Sequence, residues 1–243
     1  MTTTLIVPGL KSSGPTHWQS WFEQRIPGSV RVIQRDWNDA HLPDWSSRVR
    51  REIATTPGQL FIVAHSFGVL AAVQAANDHS HRISGALLVA PADPDRFRVS
   101  EFLPQSQLGF PAVVVGSTND PWMTLERAAA WADLWGADFV NLGEAGHINS
   151  ESGFGPWPEG LSLLERLRRA SEFRRVQEQR AALQLSSARR AIRLRSGERR
   201  LQSRSTLADE RRCLKQAAAL LEEAGWQVLP PHRTAPVTGA VRQ

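Results

Sequence analysis

Short runs rich in Val, Ile and Leu recur along the chain, at Leu5–Val7, Val30–Ile33, Leu60–Val63, Ala86–Ala90, Ala112–Val115 and Phe139–Leu142. Most are continuously apolar, the pattern of strands covered on both faces. The stretches between them carry helical spacing. Trp18, Trp21, Phe22 and Ile26 share a face, as do Trp45, Val49 and Ile53, then Val69, Leu70 and Val73. Leu125, Ala128, Ala129 and Ala132 follow, and Leu161, Leu164 and Leu167 close the pattern. Asp44 and Thr124 are the expected N-caps of two of these helices. Alternating strand and helix predicts an α/β fold, a mostly parallel six-stranded sheet with helices on both faces. Ligands of such sheets bind beyond the carboxyl ends of the strands, so chemistry is sought just after each apolar run.

Charge divides the chain. Residues 1–172 hold 14 Lys+Arg and 18 Asp+Glu, a net of −4, whereas 173–243 hold 15 and 6, a net of +9. Eight of the nine tryptophans also precede residue 172. The sequence therefore predicts an acidic domain over 1–172, large enough for its own core, and a basic C-terminal extension over 173–243. The extension is rich in good helix formers up to about residue 224 and turns Pro-rich after Trp226, where disorder is expected. A cleaner helical stripe runs through Leu214, Ala217, Ala218 and Leu221. Arginine-rich helices attract phosphates, but neither aromatic interleaving nor a known motif accompanies these. A solvated helical extension is the first reading, with nucleic-acid or membrane-surface binding the second.

Several chemistries are excluded. One cysteine, Cys213, makes neither an internal disulfide nor a cysteine-rich zinc site, and without any tyrosine no phenol can donate a proton. No His/Asp/Glu cluster has metal-ligand spacing, so neither a metal nor another cofactor is expected. The first loop spaces Gly9, Gly14 and Thr16 like a phosphate-binding loop, but Pro15 stands where its lysine belongs. No apolar run reaches the length of a membrane span, and the start MTTTLIVPGL lacks the regions of a signal peptide. A cytoplasmic location is expected.

What remains is a nucleophile. Ala64-His65-Ser66-Phe67-Gly68 follows the third apolar run and precedes a helix. It is a nucleophile elbow with Ala64 in place of the first glycine of G-x-S-x-G. Asp120 follows the fifth run and His147 the sixth, giving the chain order Ser, Asp, His of α/β hydrolases. A serine needs a general base, and the base needs a carboxylate on its other ring nitrogen to hold its tautomer. Ser66, His147 and Asp120 suit these roles, with Asp93, after the fourth run, as a rival acid. Oxyanion donors are expected at the Phe67 N–H and, from the Pro8-Gly9-Leu10 loop, the Leu10 N–H. Gly9 would admit the substrate closely. His17 either lines the site or packs at a helix start, and His65 is expected to be a packed or hydrogen-bonded side chain. The connection 91–111 is long. Its Phe102 and Leu103 are expected to overhang Ser66 as a small lid, with Trp122 forming an apolar wall.

These residues also resemble a known family, the small serine hydrolases typified by retinoblastoma-binding protein nine and bacterial YdeN. The resemblance covers roughly residues 3–170. It rests on VPGLKSSGPTHWQSW, RDW at Arg35–Trp37, AHSFG, ALLVAPAD, NDPW and the unusual GHINSESGFGPWPEG. It implies a Ser66–Asp120–His147 triad in a compact α/β-hydrolase fold, cleaving an ester or amide of a small substrate. The extension 173–243 departs from the family pattern. The alternative is a non-catalytic interaction protein on a hydrolase scaffold, with the basic extension as its binding element. The sequence names neither the substrate nor the oligomeric state.

Overall fold

The computed structural model describes residues 2–199 and 206–223. Six parallel strands form one sheet: β1 (Thr2–Val7), β2 (Val30–Arg31), β3 (Gln59–His65), β4 (Ile83–Val89), β5 (Ala112–Gly116) and β6 (Asp138–Asn141). Their spatial order is β2-β1-β3-β4-β5-β6. The helices are α1 (Trp18–Glu23), α2 (Leu42–Thr55), α3 (Phe67–Asn77), α4 (Leu125–Trp135), α5 (Pro158–Arg199) and α6 (Thr206–Glu223). The α/β-hydrolase architecture expected from the sequence is thus the one found.

The period of two along each strand divides the core into two layers. Leu5, Val7, Leu60, Ile62, Leu88 and Val114 point to one face and pack with α2, α3 and α4. Ile6, Phe61, Val63, Leu87, Val89 and Val115 point to the other, against Trp18 and Phe22 of α1 and Leu163, Leu164 and Leu167 of α5. Side chains on both faces of the inner strands are buried, which explains why those strands read as unbroken apolar runs.

Two expectations need correction. β2 is only Val30–Arg31, and Ile33, counted into that run, is 60% exposed. An edge strand has one neighbour, and the chain leaves the sheet after Val32 donates to Ile6 O at 2.9 Å. Helix α2 begins at Leu42 with His41 as its cap, so Asp44 lies in the first turn and pairs with His41 at 3.2 Å. Pro43, pre-set for a first helical turn, marks that earlier start. Thr124 does cap α4, accepting from the Arg127 N–H.

The chain divides into two units, Met1–Glu172 and Phe173–Gln243. Within the second, the described residues are helical, and Phe173, Leu183, Leu214 and Leu220 are largely exposed. The Pro-rich segment after Trp226 lies outside the described residues. No described helix is long and apolar enough to cross a membrane.

Candidate active site

The carboxyl ends of β3, β5 and β6 bring three side chains together. Ser66 sits between β3 and α3 with φ 54° and ψ −127°, a region sparsely populated by residues with a Cβ and one that costs about 1–3 kcal/mol. The fold holds it there. The Ser66 N–H donates to Val89 O at 3.1 Å, and Ser66 O accepts from the Val69 N–H at 2.9 Å. The turn is tight because α3 crosses β1 closely: a Cβ on Gly68 would lie 2.3 Å from Pro8 O. Ala64 is fully buried, and its methyl joins the core beside α3.

Ser66 Oγ lies 2.8 Å from His147 Nε2. His147 Nδ1 lies 3.0 and 2.9 Å from the two carboxylate oxygens of Asp120. The carboxylate can only accept, so Nδ1 carries a proton and, in the neutral ring, Nε2 is free to take one from serine. The side chains of His147 and Asp120 are 9% and 3% exposed, so their attraction is weakly screened by water. Asp120 is held in turn by the Trp122 N–H, 2.8 Å from Oδ1. The loops carrying the acid and the histidine are tied together. Asn119 Oδ1 accepts from the Gly146 N–H at 2.6 Å, and Ser117 Oγ accepts from the Ala145 N–H at 3.0 Å. Asp93, the rival acid, pairs instead with Arg127 at 2.9 Å.

The two oxyanion candidates, Leu10 and Phe67, are the chain neighbours of Gly9 and Ser66. A Cβ built on Gly9 would lie 2.7 Å from Ser66 Cβ and 3.4 Å from its Oγ, so the first loop passes directly against the serine. Among the described residues, neither the Leu10 nor the Phe67 N–H donates to a protein acceptor. Both remain available to a developing negative charge.

Trp122 stands beside His147, the two rings 6.2 Å apart, and is 48% exposed. Phe102 and Leu103 do not overhang Ser66. Leu103 is buried in the core layer on the α3 face, and Phe102 O accepts from Gln74 in the second half of α3 at 3.2 Å, two turns beyond Ser66. An earlier part of the same connection comes near: Phe97 packs on Phe67 at 4.9 Å between rings, and the Arg96 guanidinium lies 5.7 Å over Trp122. His17 does not open onto the site as a free side chain. It caps α1, its Nδ1 accepting from the Gln19 N–H at 3.1 Å, and packs edge-on against His65. Burial, then Arg31 and His147 nearby, push its pKa down to about 4. Sequence reasoning did not find the support supplied by Ser152, whose Oγ accepts from the His147 N–H at 3.1 Å. The GHINSES string was its only trace.

Among the described residues no group of three or more His, Cys, Asp or Glu side chains could hold a metal. A family model described as serine hydrolase matches residues 4–166. The chain belongs to the serine hydrolase family. A YdeN-like hydrolase from Pectobacterium atrosepticum is 42% identical, with a TM-score of 0.64 over 71% of this chain and 90% of that one. The ydeN gene product of B. subtilis is 19% identical, with a TM-score of 0.59 over 70% of this chain and all of the other. Est1E of Butyrivibrio proteoclasticus, solved with ferulic acid bound, is 13% identical at a TM-score of 0.52, covering 70% of this chain and 87% of its own, and shares the fold. No curated protein matches the chain.

Proposed function

We propose that this serine hydrolase cleaves a small ester or amide through an acyl-enzyme formed on Ser66. The observation that carries the reading is the unbroken line of contacts from Ser66 Oγ to His147 Nε2, at 2.8 Å, and from His147 Nδ1 to Asp120, at 2.9 Å. Ser66 Oγ attacks the substrate carbonyl carbon as its proton passes to His147 Nε2. The imidazolium is stabilised by the Asp120 carboxylate, which stays ionised. The carbonyl oxygen becomes an oxyanion received by the Leu10 and Phe67 N–H groups, each donor worth roughly 2.7–4 kcal/mol. The leaving group takes the proton from His147 as the tetrahedral intermediate collapses. Water, deprotonated by the same nitrogen, then frees the acyl group. Gly9 keeps the carbonyl's approach open, and Trp122 forms one wall.

The alternative, an interaction protein that keeps only the hydrolase scaffold, predicts no dependence on the serine. A fluorophosphonate probe separates the two. Wild type is expected to label at Ser66 and to turn over 4-nitrophenyl acetate, and Ser66→Ala to do neither. Folded wild type that resists labelling, or Ser66→Ala that keeps wild-type turnover, refutes the proposal.

A further inference from the structure

Two successive carbonyls in the loop that carries His147 accept from buried aromatic ring N–H groups. His65 Nε2 lies 2.9 Å from His147 O. Trp18 Nε1–H donates to Ile148 O at 2.8 Å. Both donors come from distant parts of the chain: His65 ends β3, 82 residues from its acceptor, and Trp18 opens α1, 130 residues from its own. The backbone they grip is unusual. Ile148 has a φ of 49°, the left-handed region that β-branched residues avoid and that persists only when the surroundings over-determine it. Ile148 is fully buried. Within the loop the Ile148 N–H donates to Ala145 O at 3.1 Å, and the two ring N–H groups tie the carbonyls on the other side of the turn to the body of the protein.

A carbonyl oxygen only accepts, so His65 Nε2 must carry the proton. Burial, and then the neighbouring His147 and His17, hold the His65 pKa well below the ordinary histidine value, so the ring remains a neutral donor. The His65 ring stands 5.0 Å from that of His147. A second cation there would oppose the imidazolium formed in each turnover, and the neutral ring avoids that.

We propose that His65 is a positioning residue for the reaction described above: its Nε2–H fixes the His147 peptide, and with it the alignment of the base on Ser66. This rests on the reading of Ser66 as nucleophile and His147 as base. A peptide freed to rotate would swing the imidazole off the serine oxygen, and displacements of about 1 Å cost on the order of 10²-fold in rate.

The test compares His65→Leu, His65→Asn and His65→Gln in the full chain, by 4-nitrophenyl acetate kinetics and thermal unfolding. Gln can place an amide N–H where Nε2 stood; Asn is too short, and Leu has no donor. The expected result is that Leu and Asn lose about 10- to 100-fold in kcat with KM within twofold, while Gln stays within threefold of wild type. The proposal is overturned if Leu and Asn keep wild-type kcat, or if Gln falls as far as Leu at unchanged Tm. It is also overturned if all three lose activity in step with Tm, which would make His65 a packing residue. Should Ser66→Ala, run alongside, keep wild-type turnover, the underlying reading of Ser66 fails instead, and that result distinguishes the two failures.

Discussion

Gly68→Ala tests the geometry of the elbow, because two effects of known size oppose each other there. Position 68 lies in the first turn of α3. On propensity alone Ala should stabilise a helix over Gly by about 0.8–1 kcal/mol. The added Cβ, however, would stand 2.3 Å from Pro8 O, 2.6 Å from Val7 O and 2.9 Å from Pro8 C. Carbon–oxygen contacts normally close to about 3.3–3.6 Å, so α3 and β1 must part by roughly 1 Å. The opposing atoms are backbone, and β1 is hydrogen-bonded on both sides, to β2 and β3. No side chain can rotate to absorb the overlap. Overpacking typically costs about 1–3 kcal/mol, and opposing backbone atoms put this site at the upper end, about 2–3 kcal/mol, which exceeds the propensity gain. The net expectation is a loss of about 1–2 kcal/mol, or roughly 2–8 °C in Tm for a chain of this size. Activity should fall further than stability. Separating α3 from β1 also separates the Phe67 N–H from the loop that carries Leu10, and a shift of about 1 Å costs on the order of 10²-fold. The assays are thermal unfolding by circular dichroism and the fluorophosphonate labelling rate at 20 °C. Gly14→Ala is the control: a Cβ there meets nothing within 4 Å, so both readouts should stay at wild type. If Gly68→Ala is as stable as wild type and labels as fast, α3 does not cross β1 this closely and the account of the elbow is wrong.

Two other outcomes follow from the same structure. His17 has a pKa pushed down to about 4 from 6.5 by burial, so the unfolded chain binds a proton over that interval that the native one refuses. Stability should therefore be full above pH 6.5 and fall as the pH drops toward 4, by roughly 3 kcal/mol from this group. Urea unfolding at pH 7, 5.5 and 4.5 should show the slope, and His17→Gln should make it shallower while leaving the share of His65, whose pKa burial also holds down; an equally steep slope in the variant counts against the assignment. A protein shortened to end at Phe173 keeps both core layers and all the proposed catalytic groups. It should fold and label at close to the full-length rate, and failure to fold would place residues of 173–243 in the core.

The inner strands were legible because burial on both faces leaves no polar position to break the apolar run. The convergence of Ser66, Asp120 and His147 was legible because each follows a strand of a parallel sheet, whose carboxyl ends share one edge. The start of α2 could have been read from Pro43, but Asp44 is the more familiar cap residue and places the boundary three residues late. The connection after β4 was not legible. It has no periodicity, so nothing in the sequence distinguishes Phe97, which reaches Phe67, from Phe102 and Leu103, which lie farther along α3. His65 was legible as a packed or hydrogen-bonded side chain, but its partner and that of Trp18 were hidden for a similar reason: the carbonyls they grip lie 82 and 130 residues away, and no local pattern encodes them.

The strand order bears on how the protein is made. β1 stands second from one edge, and β2, the next strand synthesised, pairs on its outer side. Every later strand then adds to the other side, in the order in which it leaves the ribosome: β3 on β1, β4 on β3, β5 on β4 and β6 on β5. Each newly made strand thus finds its template already laid down, and none must insert between two older ones. Parallel pairing is slow because a long loop must close before it is rewarded, and one-way growth keeps each closure to a single crossover. The elbow at Ser66 takes shape with β3 and β4, but His147 follows β6, the last strand. While residues 67–147 are being added, a third of the 243-residue chain, the nascent protein therefore carries the proposed nucleophile without its proposed base.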